Sequence, residues 1–168
     1  MNFFAKRVVK QQLNLLENRV GVKPLSVRRM IFIHETDLDI TEAQFKNMLD
    51  FFSPEYQTID CVHFHVNKKM LEGLSKPHLQ PKSLDWRGRI VENDLKFIIS
   101  QHYDIAIHFV KQSTLSLESF SAQLNASFRI GPSCLDNRLN DLLLPTRLDF
   151  GGFLNDLKQY FNKITAHA

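Results

Sequence analysis

The chain has 168 residues, 43% hydrophobic and 23% charged, with a formal net charge of +3. That length suits one domain with a single core, and the composition excludes a disordered or fibrous chain. No window approaches the ~18 apolar residues of a membrane span, and the start lacks the uninterrupted apolar stretch of a secretion signal.

Charge is unevenly spread. Before His34 stand Lys6, Arg7, Lys10, Arg19, Lys23, Arg28 and Arg29 against Glu17 alone. The rest of the chain carries more acid than base. The two cysteines, Cys61 and Cys134, are far apart and show no CxxC spacing. A reducing, cytoplasmic setting is the expectation. The 14 Phe against 3 Tyr and 1 Trp point to aromatic core packing.

In chain order, residues 2–20 read as a helix with an apolar stripe of Phe4, Val8, Leu15 or Leu16, and Val20, stopped by Gly21. Residues 22–26 form a linker. Residues 27–34 (VRRMIFIH) are a first strand, followed by an acidic loop. A helix over 41–53 turns Ala43, Phe45, Met48, Leu49 and Phe52 inward, with Asp39 and Glu42 as a capping box. A second strand covers 59–66 (IDCVHFHV), and 67–74 is a short helix. Residues 75–89 are irregular, anchored by Leu84-Asp85-Trp86, where a short edge strand is expected.

A helix over 91–101 buries Val91, Leu95, Ile98 and Ile99. The clearest unit comes next. Residues 103–110 are apolar on both alternations, the mark of a strand buried on both faces. Residues 114–126 switch to helical period, with Leu117, Phe120, Ser121 and Leu124 on one face and Ser113 or Thr114 as the cap. Phe128 and Ile130 then alternate with Ser127 and Arg129 until Gly131-Pro132. A last short strand at 142–144 ends at Pro145, and an amphipathic helix over 149–165 closes the chain.

Alternating strands and helices predict an α/β three-layer sandwich of Rossmann-like or flavodoxin-like kind, a mostly parallel sheet with helices on both faces. The expected division is a basic amphipathic helix and linker over 1–26 and a single α/β domain over 27–168.

Several motifs carry a resemblance. Leu84-Asp85-Trp86 with Gly88, Tyr103-Asp104-Ile105, residues 125–131 (NASFRIG) and Tyr160-Phe161 resemble a family of short uncharacterised Bacteroidota proteins. That family has no assigned activity, so the resemblance implies a fold and transfers no functional residue. More locally, Tyr103-Asp104-Ile105-Ala106-Ile107 with Ala126, Arg129, Ile130 and Gly131 is similar to the N-terminal half of heptosyltransferase-type glycosyltransferases. Where that family commonly carries Asp, this chain has His108, and the nucleotide-sugar half has no counterpart. That likeness implies the fold and argues against the activity.

Ligands of open α/β sheets bind beyond the carboxyl ends of the strands. There the sequence offers His34, Glu35, His63, His65 and His108, a possible ligand or metal rim of imidazole and carboxylate. Satisfied or solvated histidines are the plainer reading, since HExxH and CxxC are both absent. No cofactor is predicted, because no GxGxxG or GxxxxGK[ST] occurs and the loop after the first strand is acidic. Ser113–Ser121 lacks a GxSxG elbow. Trp86, Arg87 and Arg89 are read as a core plug or as a pocket lining. Lys6, Arg7, Lys10, Arg28 and Arg29 form a candidate contact surface for a protein partner, nucleic acid or an anionic membrane. The leading expectation is a non-catalytic binding protein. The alternatives are a divergent enzyme or metal protein at the histidine rim, or association through the basic N-terminal helix.

Overall fold

The computed structural model describes residues 3–52, 58–66 and 77–165. Among them are strands β1 (Arg29–Glu35), β2 (Thr58–Phe64), β3 (His78–Leu79), β4 (His102–Phe109), β5 (Asn125–Pro132) and β6 (Leu142–Leu144). The helices are α1 (Phe3–Leu16), α2 (Glu42–Phe52), α3 (Asn93–Ser100), α4 (Leu115–Gln123) and α5 (Phe150–Thr165). The strands form one sheet in the order β3-β2-β1-β4-β5-β6, and every pairing is parallel. This is the doubly wound Rossmann order, with the switch point between β1 and β4.

The central strands are buried on both faces, as their unbroken apolar runs require. On one face Ile31, Ile33, Val62 and Phe64 meet Val9 and Leu13 of α1, Leu95 and Ile98 of α3, and Leu117 and Phe120 of α4. On the other, Met30, Phe32, Ile105 and Ile107 meet Met48 of α2 and Phe153, Leu154 and Leu157 of α5. Each such side chain contributes roughly 1.5–3 kcal/mol of hydrophobic stabilisation.

Several local expectations are corrected. Helix α1 ends at Leu16 and buries Ala5, Val9 and Leu13. Of the expected stripe, Leu16 packs against this core and Val8 is half-buried, whereas Phe4, Leu15 and Val20 are exposed. Helix α4 has no single apolar face, because it is covered on both sides. Ser116 and Ser119 are buried, and the one Ser119 hydroxyl proton has two acceptors in reach, Gln12 Oε1 of α1 at 3.1 Å and the Gly88 carbonyl at 3.0 Å. The capping box of α2 is Thr41 with Gln44, not Asp39 with Glu42. The Gln44 N–H donates to Thr41 Oγ1 at 3.2 Å, and Gln44 Oε1 accepts the Thr41 N–H at 3.0 Å. Ala43 is exposed, as is Val91 before α3. The short helix expected over 67–74 lies outside the described residues.

The edge strand is β3 at His78–Leu79. Leu84 makes only an antiparallel bridge to Ile90. Between them Asp85 closes a tight turn: its Oδ1 accepts the Arg87 and Arg89 N–H groups. Gly88 sits at φ +74°, which favours glycine, and a Cβ there would lie 3.1 Å from the Ala5 carbonyl of α1.

Gly21 is not a helix stop. It lets the chain after α1 pass against Asp141, where a Cβ would fall 2.0 Å from the carboxyl carbon. Asp141 cannot step aside freely, because it accepts from the Arg129 N–H and pairs with Arg19. Gly21→Ala is therefore expected to cost roughly 1–3 kcal/mol, the range of overpacking. A urea midpoint lowered accordingly checks this; an unchanged midpoint refutes it.

Candidate functional site

The switch point between β1 and β4 is where sheets of this order open a crevice for ligand. Here Glu35, the last residue of β1, fills that position and is fully buried. Its carboxylate accepts the Lys111 N–H and the Gln112 side-chain N–H, both at 2.9 Å, and Lys111 Nζ lies 3.6 Å away. A buried carboxylate with two donors and an ammonium beside it is a structural tie across the two halves of the sheet. Outside it lies an open groove of about 500 Å³ lined by Asp37, Asp39, Thr41, Lys111 and Asp149 among others. Its acidic wall repels phosphate, in keeping with the lack of a glycine-rich cradle.

Beside the switch point the histidines gather. His34 of β1 pairs in register with His63 of β2, and His63 with His78 of β3. Lateral neighbours in a parallel sheet project to the same face, here the side of α2 and α5. The ring centres of His34 and His63 are 4.7 Å apart, and those of His63 and His78 5.4 Å. His65, two residues beyond His63, shares its face. Its Nε2 lies 2.8 Å from His78 Nδ1, and its Nδ1 2.9 Å from Thr36 Oγ1. Among the described residues, no three His, Cys, Asp or Glu side chains already surround one point as a metal set does.

A profile for a family of unknown function, DUF6913, matches residues 2–164. The chain belongs to that family. None of the curated proteins matches it significantly. The DUF6913 match takes in α1 as well as α5, so the basic N-terminal helix lies within the family's extent.

His108 does not join the rim of this DUF6913 chain. It lies on the opposite face of the sheet, fully buried. Its Nε2 lies 2.8 Å from the Ser121 hydroxyl and its Nδ1 3.2 Å from the Ile130 carbonyl. Burial, with the Arg129 charge beside it, pushes its pKa down to about 4. This is a neutral core imidazole. The residue that completes the row is His78, which the sequence hid in a proline-containing stretch read as irregular. A strand of two residues leaves no periodic signal.

The other candidates separate in the same way. Trp86 is not a core plug: it is 57% exposed, and the Arg87 guanidinium stacks 4.4 Å from its ring centre. Arg89 is held by Asp85. Arg29 is held by Asp60 and Gln101, whereas Arg28 is exposed. Lys6, Arg7 and Lys10 are all exposed on α1. Cys134 is half-buried, and burial pushes its thiol up, opposite to what an activated nucleophile needs.

Proposed function

We propose that this protein works by binding, not turnover, and that the outer face of α1 with the Trp86 turn docks on an anionic membrane surface. One observation carries the reading. Phe3, Phe4 and Trp86 are 73%, 58% and 57% exposed, yet they form a continuous aromatic row. Phe3 meets Phe4, and Phe4 meets Trp86, with ring centres 6.3 Å apart in each case. Lys6, Arg7 and Lys10 are exposed on the same helix, Arg87 stacks on Trp86, and α1 contains no acidic residue.

Aromatic side chains set among basic ones are the composition of surfaces that sit at the headgroup level. The rings insert and the cations meet lipid phosphates. Single-stranded nucleic acid would need successive parallel ring faces on which to stack bases. Here the rings stand at 79° and 89° to one another, and Arg87 occupies one face of Trp86. That geometry favours insertion over stacking. The contact is peripheral: among the described residues no helix is long and apolar enough to cross a membrane. A cytoplasmic site, facing an anionic leaflet, suits this reading. The tie made by Glu35 also supports binding over catalysis, since the carboxylate at the switch point already serves the fold.

The single Trp is the reporter. Vesicles containing phosphatidylserine are expected to blue-shift its fluorescence and to co-sediment the protein, with binding that weakens as salt rises. Reversing Lys6, Arg7 and Lys10 to Glu is expected to weaken binding at least ~10-fold, at about 1 kcal/mol per basic residue near the surface. An absent shift, or binding confined to a single-stranded RNA oligomer, overturns the reading.

A further inference from the structure

The histidine row holds a feature that neither the fold nor the membrane-facing surface uses. His65 and His78 are joined directly, and we assign the direction of the protons from the far end of the chain of bonds. The Thr36 hydroxyl donates to the Phe64 carbonyl at 3.4 Å. Its oxygen is then left to accept the N–H of His65 Nδ1. His65 Nε2 is therefore the bare nitrogen, and it accepts the N–H of His78 Nδ1. The relay ends at His78 Nε2 as a lone pair. Among the described residues that atom is buried and has no hydrogen-bond partner.

An unsatisfied buried polar atom costs stability, so its persistence asks for an occupant. An imidazole that donates one N–H to a fixed acceptor and presents the other nitrogen bare is in the state that metal ions take. The neighbouring rings are suitably spaced. Two imidazoles sharing one ion through bonds of about 2 Å have ring centres roughly 5 Å apart. His63 and His78 are separated by 5.4 Å.

We propose that the row binds a divalent transition-metal ion of the imidazole-preferring class, with His78 Nε2 and His63 as protein ligands and Thr36–His65 as the positioning relay. No three ligands are in place beforehand among the described residues, so the His63 ring rotates toward the ion and water completes its coordination. His34, 4.7 Å from His63, is the next imidazole in reach.

The test uses the full chain free of any affinity tag. Titration with Zn²⁺ in a calorimeter, and with Co²⁺ followed by visible absorption, is expected to show one ion per chain. His78→Ala and His63→Ala are each expected to lower affinity at least tenfold. His78→Gln replaces His78→Ala if the alanine variant does not fold. Thr36→Val touches no metal ligand, yet is expected to weaken binding by about 10- to 100-fold, as loss of an orienting partner does. Affinity should fall as pH drops and protons compete for the imidazoles. His102→Ala, an exposed histidine at the amino end of β4, should change nothing. Stoichiometric binding that survives His78→Ala and His78→Gln, or no binding at millimolar Co²⁺, overturns the proposal. Membrane docking is read from Trp86 and stands or falls separately.

Discussion

Arg129→Ala is expected to lower stability by on the order of 4 kcal/mol. Arg129 lies on β5 with its side chain 2% exposed, turned toward α4. Its guanidinium donates to the Ser121 carbonyl at 2.9 Å and to the Leu124 carbonyl. These carbonyls lie at the end of α4, where helix carbonyls run short of partners, and Ser121 has besides only the Leu124 N–H at 3.3 Å. The positive charge also meets the negative end of the helix dipole. Burial holds its pKa down at about 10, with the nearby Arg19 charge adding to the effect, so it stays charged at neutral pH. Truncation takes its donor from the Leu124 carbonyl and leaves the Ser121 carbonyl only the long Leu124 N–H contact of 3.3 Å, at roughly 1–3 kcal/mol for a buried carbonyl without its partner, and it adds a cavity. Arg129→Met is expected to lose less, because it fills the space and removes a desolvated charge. For a chain this size the alanine variant should melt about 10 °C lower. Equal losses for alanine and methionine would show that the carbonyl contacts, which both variants lose, and not packing set the cost. No loss in either would remove the structural role altogether.

Acid is expected to weaken the fold between pH 6.5 and 4, chiefly through His108. In the native state its imidazole is pushed down to about 4 by burial. In the unfolded chain it returns to about 6.5. Between those values the unfolded chain holds a proton that the native state does not, so stability falls as pH falls. At pH 5 the loss relative to pH 7 amounts to about 2 kcal/mol. Urea denaturation of the protein and of His108→Gln at both pH values checks this. The variant should lose about 2 kcal/mol less on acidification. If both lose the same amount, the neutral core imidazole is not responsible.

Both residues sit where sequence patterns are blind. Arg129 alternates with Phe128 and Ile130, and alternation normally sends a polar residue to water. Here the second face of the sheet is also covered, by α4, so the same period sends a guanidinium into the core. The βαβ unit itself was legible, because the apolar run of 103–110 breaks at Ser113-Thr114, where Thr114 caps α4, and an alternating strand follows. Strand order was not, since it depends on pairings between distant segments. The histidine row illustrates the same limit. His34, His63 and His65 could be placed near strand ends, but only the register of β1, β2 and β3 brings them together and recruits His78. His108 fell out for the opposite reason: one residue of phase sends a side chain to the other face. In α1 the apolar residues are spread round the helix. Two stripes were therefore available, and the smaller one, Ala5 with Val9 and Leu13, was buried against the domain.

The bond between Glu35 and the Lys111 backbone also bears on how the molecule holds together as a cooperative unit. Strands β3, β2 and β1 come from the first half of the chain, and β4, β5 and β6 from the second. The acid belongs to one half and its donors to the other. A fragment ending before β4 would carry a carboxylate with no donors and a bare inner strand edge. The second half alone would leave the Lys111 amide without its acceptor. Neither half meets its own hydrogen-bonding requirements, so the two must assemble together. The doubled architecture of the sheet is not matched by two independent folding modules.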